Sequence, residues 1–302
     1  VSFPSQTLLT WYARFGRTHL PWRQTRDPYR VLVSEFMLQQ TQVERVLPLY
    51  EAFVARFPDF AALAAAPAAD VVRMWRGLGY NSRAIRLHRI AREVTGAGGR
   101  LPQEREALLD LPGIGPYTAA AVRAFAFDAD DVALDTNLRR VVHRVMLGLE
   151  HPPRASEREL DGLLRAALPH GSAHDWNSAL MDLGATVCTA RAPKCLVCPL
   201  RDACAAAPID PASLAVAMRA HAKKKSPQEA LPFERTQRFL RGRIIDRLRD
   251  LPENAAISLA DLQADLRPIV TDERMPEIAD TVRALIREGF VVERDGAYAL
   301  QI

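Results

Sequence analysis

The chain has 302 residues, 48% hydrophobic and 25% charged, with a formal net charge of +4 at pH 7. That length gives ample chain to bury a core and suits one large domain beside a smaller one, or two of middling size. Charges interrupt every hydrophobic stretch within about ten residues, which excludes a membrane-spanning helix. The start, VSFPSQTLLTWYARF, lacks the basic, apolar and small-residue zones of a signal peptide, so a cytoplasmic protein is expected. From Ser226 onward eleven arginines face fourteen carboxylates, a net of −3 that leaves +7 on residues 1–225. A basic main domain is compatible with nucleic acid without demanding it.

Residues 5–220 read as successive helices. Val43, Val46, Leu47, Tyr50, Phe53 and Val54 recur at three- and four-residue steps, and the same period runs through 68–75, 84–94, 116–126, 137–147, 157–167 and 175–187. The alanine-rich AALAAAPAAD predicts a helix–loop–helix, and no strand is expected before the tail. At AHAKKKSPQEALP the period stops; a lysine triplet and two prolines predict a linker over 221–231. Beyond it, helical patterns cover 235–250, 258–266 and 272–288. FVVERDGAYALQ then reads as strand, Asp295-Gly296 turn and strand. Three helices closed by a hairpin suggest a winged helix.

All four cysteines, Cys188, Cys195, Cys198 and Cys204, crowd into one short stretch. Disulfides do not suit a cytoplasmic chain, and bystander cysteines would scatter. Zinc sites usually show paired C-x₂-C arms or mixed Cys/His ligands, whereas here a single C-x₂-C is flanked by lone cysteines. A compact loop of this kind can wrap a cubic iron–sulfur cluster, one thiolate per iron. The spacing favours the cluster and leaves zinc open.

Three further stretches carry chemistry. In DLPGIGPYTAAAV the glycines permit a tight turn and Pro116 opens a helix whose N-terminus can face an anion. That is the form of a helix–hairpin–helix gripping a DNA phosphate, though an ordinary helical corner fits equally. In VALDTNLRRVVHRVML, Asp135 precedes an amphipathic helix, either as a plain N-cap or as a carboxylate held at a helix mouth. In VLVSEFMLQQTQ, Glu35 sits among Val31, Leu32, Val33, Phe36, Met37 and Leu38. Burying it unpaired costs several kcal/mol, so it must be paired (Arg23 or Arg30 are at hand) or protonated near neutral pH.

Taken together, LPWRQTRDPYRVLVSEFMLQQTQVERV, GLGYNSRAIRLH, LPGIGPYTAAAV, LDTNLRRVVHRV, NSALMDLGATVC and the cysteine loop, in this order, resemble the helix–hairpin–helix DNA glycosylases of the endonuclease III superfamily, and among them the MutY adenine glycosylases. The resemblance runs from about Leu9 to Ala206. It implies a mainly α fold: residues 1–24 with 130–220 as an iron–sulfur helical module, 25–129 as a helical barrel module with the helix–hairpin–helix, and 232–302 as a winged-helix-like α+β domain. It implies a [4Fe–4S] cluster on the four cysteines, with Arg191, Lys194 and Arg201 turned toward phosphates. It also implies a monomer that acts on double-stranded DNA carrying adenine opposite 8-oxoguanine or guanine, with no membrane partner.

In the resembled mechanism the base is extruded from the stack. Glu35 protonates N7 of adenine, Asp135 stabilises the cationic sugar, and Tyr117 and Asn137 position sugar, water and carboxylates. Arg23, Gln40, Thr41, Leu78 and Tyr80 match DNA contacts, with Tyr80 as a wedge, and Gly113 and Gly115 form the hairpin. Tyr117 stands where lyase-competent relatives carry lysine, so a monofunctional enzyme is implied. Asn81 departs from the aromatic often found there, and Thr136 from a common glycine. The tail is too short for the Nudix-like domain of many members and resembles the shorter ending of some actinobacterial-type adenine glycosylases. Two alternatives remain: removal of thymine or uracil opposite guanine, and a non-catalytic cluster-bearing DNA-binding or redox-sensing protein.

Overall fold

The computed structural model describes residues 2–221, 231–252 and 255–301, so most of the expected linker lies outside the described residues. The helices in chain order are α1 (Ser5–Phe15), α2 (Pro28–Leu38), α3 (Val43–Arg56), α4 (Phe60–Ala65), α5 (Ala68–Met74), α6 (Ser82–Gly96), α7 (Arg105–Leu109), α8 (Pro116–Ala126), α9 (Thr136–Met146), α10 (Glu157–Ala167), α11 (Ala173–Thr186) and α12 (Pro211–Ala220). The tail adds α13 (Gln237–Arg249), β1 (Ile257–Ser258), α14 (Leu259–Leu266), α15 (Glu277–Arg287), β2 (Val291–Arg294) and β3 (Ala297–Leu300). Among the described residues no strand precedes Ile257. AALAAAPAAD forms the end of α4, a break at Pro67 and the start of α5.

The chain forms two compact units, Val1–Glu35 with Leu101–Lys223, and Phe36–Arg100 with Lys224–Ile302. These boundaries fall elsewhere than the module boundaries expected above. Residues 101–129 go with the cysteine-bearing unit because α8 packs on α11. Residues 36–100 go with the tail because the two share one apolar core.

In the first unit α11 packs against both α1 and α9. Leu138, Val141, Val142 and Val145 line one stripe of α9 and bury against Leu8, Tyr12, Trp176, Leu180 and Leu183. That i, i+3, i+4, i+7 spacing drives the helix through packing, since three valines offer little intrinsic propensity. Gly184 permits a close crossing: a Cβ there would stand 2.6 Å from the Cβ of Asn137.

In the second unit Leu240, Ile244, Ile245 and Leu248 of α13 join Ala68, Ala69 and Val72 of α5 and Ile85 of α6 in a single cluster. The tail is therefore part of a core, docked by its apolar face. Its sheet is antiparallel in the order β1-β3-β2, with Ile257 opposite Tyr298 and Val291 opposite Leu300. Asp295 and Gly296 take φ of 51° and 76°, the paired positive values that a two-residue hairpin turn needs. Helix, short strand, two helices and hairpin is the winged-helix order. The two-residue β1 is additional to the expected elements, because a strand that short has no period to read.

Candidate active site

Glu35 is 6% exposed on α2, between residues that are themselves 1% exposed or less. Its partner is the Tyr117 hydroxyl, which donates to the carboxylate from the first turn of α8. Burial pushes the Glu35 carboxyl up to about 7; the Tyr117 hydrogen bond and the Arg23 charge oppose this, and the nearby Asp135 charge adds to it. Tyr117 itself is held well above the usual phenol range, by burial first and then by both carboxylates. The turn leading into α8 contains Gly113 at φ 87°, a left-handed position that favours glycine, and Gly115 as N-cap before Pro116.

Asp135 stands at the mouth of α9. As N-cap of α9 its Oδ1 accepts from the Leu138 amide at 2.7 Å, and its Oδ2 accepts from Asn137 Nδ2 at 2.8 Å. Burial raises its carboxyl, and these hydrogen bonds hold it back. Burial raises both carboxyls, and the two sites differ in their neighbours. Glu35, desolvated and facing another carboxylate, keeps a proton near neutral pH, whereas Asp135 is given donors that favour its anion.

The donors to Asp135 are themselves fixed. Arg140 Nη2 donates to Asn137 Oδ1 at 2.8 Å and to the Gly184 carbonyl at 2.7 Å, while its Nε donates to the Cys188 carbonyl at 2.7 Å. A hydrogen-bonded path thus runs from Asp135 through Asn137 and Arg140 to the cysteine loop. Arg23 was expected at the DNA. Its side chain is 8% exposed, lies 3.6 Å from Asp182 and stacks on Phe125 at 5.7 Å. Its charge acts inside the protein, on Glu35.

The four cysteines are half-buried around one small cavity, whose apolar lining includes Val141, Val145, Leu183, Val187 and Ile209. Burial pushes Cys198 up to about 11, with the neighbouring three cysteines adding to the shift. Among the described residues no three His, Cys, Asp or Glu side chains converge as ligands of one metal ion. Four soft donors around one shared apolar cavity fit a metal ion or an iron–sulfur cluster. Arg144, fully buried, braces the loop: it donates to the carbonyls of Thr189 and Ala190 and pairs with Glu150. Arg191, Lys194 and Arg201 are exposed on the loop, as are Leu196 and Val197.

The second unit gathers the remaining expected residues by themselves. Arg83, 3% exposed, donates to the carbonyls of Phe36, Met37, Gln39, Leu78 and Gly79 and to Thr41 Oγ1 at 3.2 Å. That one guanidinium ties the end of α2 to the loop before α6, bringing Gln40 and Thr41 beside Leu78 and Tyr80. Gln40 is exposed and Leu78 is 3% exposed. Gln40 and Tyr80 hold positive φ of 54° and 44°.

The HhH-GPD superfamily of base excision DNA repair proteins matches residues 33–166. An adenine DNA glycosylase of Mycolicibacterium smegmatis is 43% identical over 245 residues, which are 80% of this chain and 79% of that protein. Its counterpart from Mycobacterium tuberculosis is 39% identical over 297 residues, 94% of this chain and 93% of that protein. The chain belongs to the helix–hairpin–helix superfamily of base excision repair DNA glycosylases. A thermostable thymine-DNA glycosylase of known structure, 35% identical, overlays it with a TM-score of 0.62 across 67% of this chain and 93% of its own.

In this glycosylase the residues that escaped the sequence reading are the braces. Arg83, Arg140 and Arg144 look like surface charges in a linear chain, yet each fastens backbone carbonyls around a functional loop. One signal was available: Asn137, Arg140 and Arg144 fall at i, i+3 and i+7, a polar stripe on one face of α9 that leads from Asp135 toward the cysteine loop.

Proposed function

We propose that this DNA glycosylase removes adenine paired with 8-oxoguanine or with guanine, without cutting the strand. The observation that carries the reading is the pair of carboxylates: Glu35 pushed up to about 7 by burial, and Asp135 set at a helix mouth with two donors. Glu35 acts as the general acid that protonates N7 of the extruded adenine, and Asp135 as the anion opposite the developing sugar cation. Tyr117 orients Glu35, and Asn137 orients Asp135. The relatives named adenine DNA glycosylase across most of the chain support this substrate. Gln40, Thr41, Leu78 and Tyr80 then face the oxidised strand, with the hairpin at Gly113 and Gly115 on a phosphate.

The four cysteines hold a [4Fe–4S] cluster, which supplies a rigid tie for the basic loop rather than a reacting atom. Arg144 and Arg140 bind that loop to α9. The enzyme works as a monomer in the bacterial cytoplasm, on nucleoid DNA. No described helix is long and apolar enough to cross a membrane.

A second reading, excision of thymine or uracil opposite guanine, draws on the overlay with the thymine-DNA glycosylase. Pyrimidines have no N7, so a buried acid of this kind suits them less. Single-turnover assays on duplexes with adenine, thymine, uracil or hypoxanthine opposite guanine and 8-oxoguanine decide between them. Adenine opposite 8-oxoguanine is expected to react fastest; faster loss of a pyrimidine overturns the proposal.

A further inference from the structure

Of the arginines on α13, four are engaged by acids of the same unit: Arg241 by Glu288, Arg243 and Arg249 by Asp246, and Arg247 by Asp265. Arg238 is placed differently. Its Nη1 donates to the Tyr80 hydroxyl at 2.6 Å, and its guanidinium lies 5.3 Å from the Tyr80 ring centroid and 5.0 Å from that of Phe233. Tyr80 also lies 5.6 Å from the Arg83 guanidinium.

The loop that carries Tyr80 is held in an unusual shape. Gly77, Gly79 and Tyr80 all take positive φ, of 90°, 69° and 44°. For a bulky aromatic side chain that region is disfavoured, and it persists only when surrounding contacts over-determine it. Nevertheless Tyr80 is 39% exposed. The tail supplies contacts on both flanks. On the side of α6, Arg249 Nη2 donates to Asn81 Oδ1 at 2.8 Å and its Nε to the Val72 carbonyl at 2.9 Å. On the side of the ring stands Arg238.

We propose that the C-terminal winged-helix-like unit is a positioning element for the Tyr80 loop, with Arg238 as the residue that fixes the phenol for insertion beside the damaged base and Arg249 as the clamp on Asn81. The unit therefore acts on DNA through Tyr80 and does not read bases with its own helices. This rests on the reading of Tyr80 as the wedge. Asn81 becomes the acceptor that receives the tail.

The test is a double-mutant cycle in the full-length, cluster-loaded protein carrying Glu35→Gln, so that binding is read without turnover. Tyr80→Phe removes the hydroxyl and keeps the ring; Arg238→Met removes the guanidinium and keeps the stem. Each is measured for affinity to an adenine:8-oxoguanine duplex, and for the fluorescence of a 2-aminopurine placed beside the oxidised base. Each single change is expected to weaken binding about three- to tenfold, the scale of one charge-assisted hydrogen bond with its ring contact, and to reduce the fluorescence change. The double variant should be no worse than the singles, and Arg238→Lys should recover part of the loss. Arg267→Met, elsewhere on the tail, should match the parent. Additive losses, or an Arg238→Met protein equal to the parent while Tyr80→Ala is impaired, overturn the positioning role alone. Undiminished binding by Tyr80→Ala overturns the wedge reading and the proposal with it.

Discussion

Asn137 donates its side-chain N–H to Asp135 at 2.8 Å while its carbonyl oxygen receives the Arg140 guanidinium at 2.8 Å. The amide is polarised from behind, and the carboxylate it serves already caps α9 through its other oxygen. Asp135 is consequently held in one rotamer before any DNA arrives, as its proposed place opposite a sugar cation requires.

Loss of either carboxylate should separate chemistry from binding. Glu35→Gln and Asp135→Asn keep size and shape and remove a proton donor or an anion. Each is expected to slow single-turnover excision by about 100-fold or more, the usual scale of a positioned acid or base, with duplex affinity changed little. Substantial turnover by both variants would remove them from the chemistry.

The raised carboxyl of Glu35 predicts how pH acts on rate and on stability. Excision should fall as pH rises through about 7, as the acid loses its proton. The folded protein binds this proton more tightly than the unfolded chain, so Glu35 favours folding below about 4.5 and progressively loses that contribution up to about 7. The loss amounts to roughly 3 kcal/mol above neutrality. Glu35→Gln should therefore gain stability over the parent at pH 8 and little at pH 5, as read from denaturant midpoints. A difference independent of pH would show that Glu35 is not protonated in the fold.

Much of this site was legible from residue order. Glu35 stood out because an apolar run surrounded it, and Asp135 because it preceded an apolar stripe on α9. The winged-helix hairpin followed from Asp295-Gly296, a pair whose backbone requirement is local. What was not legible depended on distant partners. Nothing in the order of the six arginines from Arg235 to Arg249 marks their partners, and Glu288 and Asp265 come from other elements of the tail to engage two of them. Arg23, expected at the DNA, has its side chain beside Asp182 and Phe125, neighbours that its sequence context did not announce. Charge is visible in sequence; its desolvation is a property of the fold.

Two tail arginines separate these cases energetically. Arg249 is 6% exposed and bonded to Val72, Asn81 and Asp246. Arg249→Met should cost about 2–4 kcal/mol, because it leaves buried acceptors unmet. Arg241→Met, at a half-exposed pair with Glu288, should cost no more than about 1 kcal/mol. Urea unfolding of the two variants checks the ranking, and equal costs would contradict it.

The cysteine loop makes a prediction that needs no activity assay. Purified protein should be brown, absorb broadly toward the blue end of the visible range and contain four iron atoms per chain. A colourless protein with stoichiometric zinc would contradict the cluster. Cys198→Ser should reduce folding yield or DNA affinity while leaving the pH dependence of excision in place.

Tyr117 occupies the first turn of α8 with its hydroxyl on Glu35. Tyr117→Lys supplies an amine there and should introduce strand nicking that borohydride traps as a covalent adduct, with slower base release because Glu35 loses its partner. A trapped adduct with the parent protein would overturn the monofunctional reading.

The proposed delivery of the Glu35 proton to a purine N7 is tested most directly with 7-deazaadenine, which leaves the protein unaltered. Placed opposite 8-oxoguanine, this analogue keeps the shape of adenine and replaces N7 with carbon. Single-turnover excision at saturating enzyme is predicted to be at least about 100-fold slower than for adenine, with duplex affinity similar. Excision of both bases at the same rate would contradict the role assigned to Glu35.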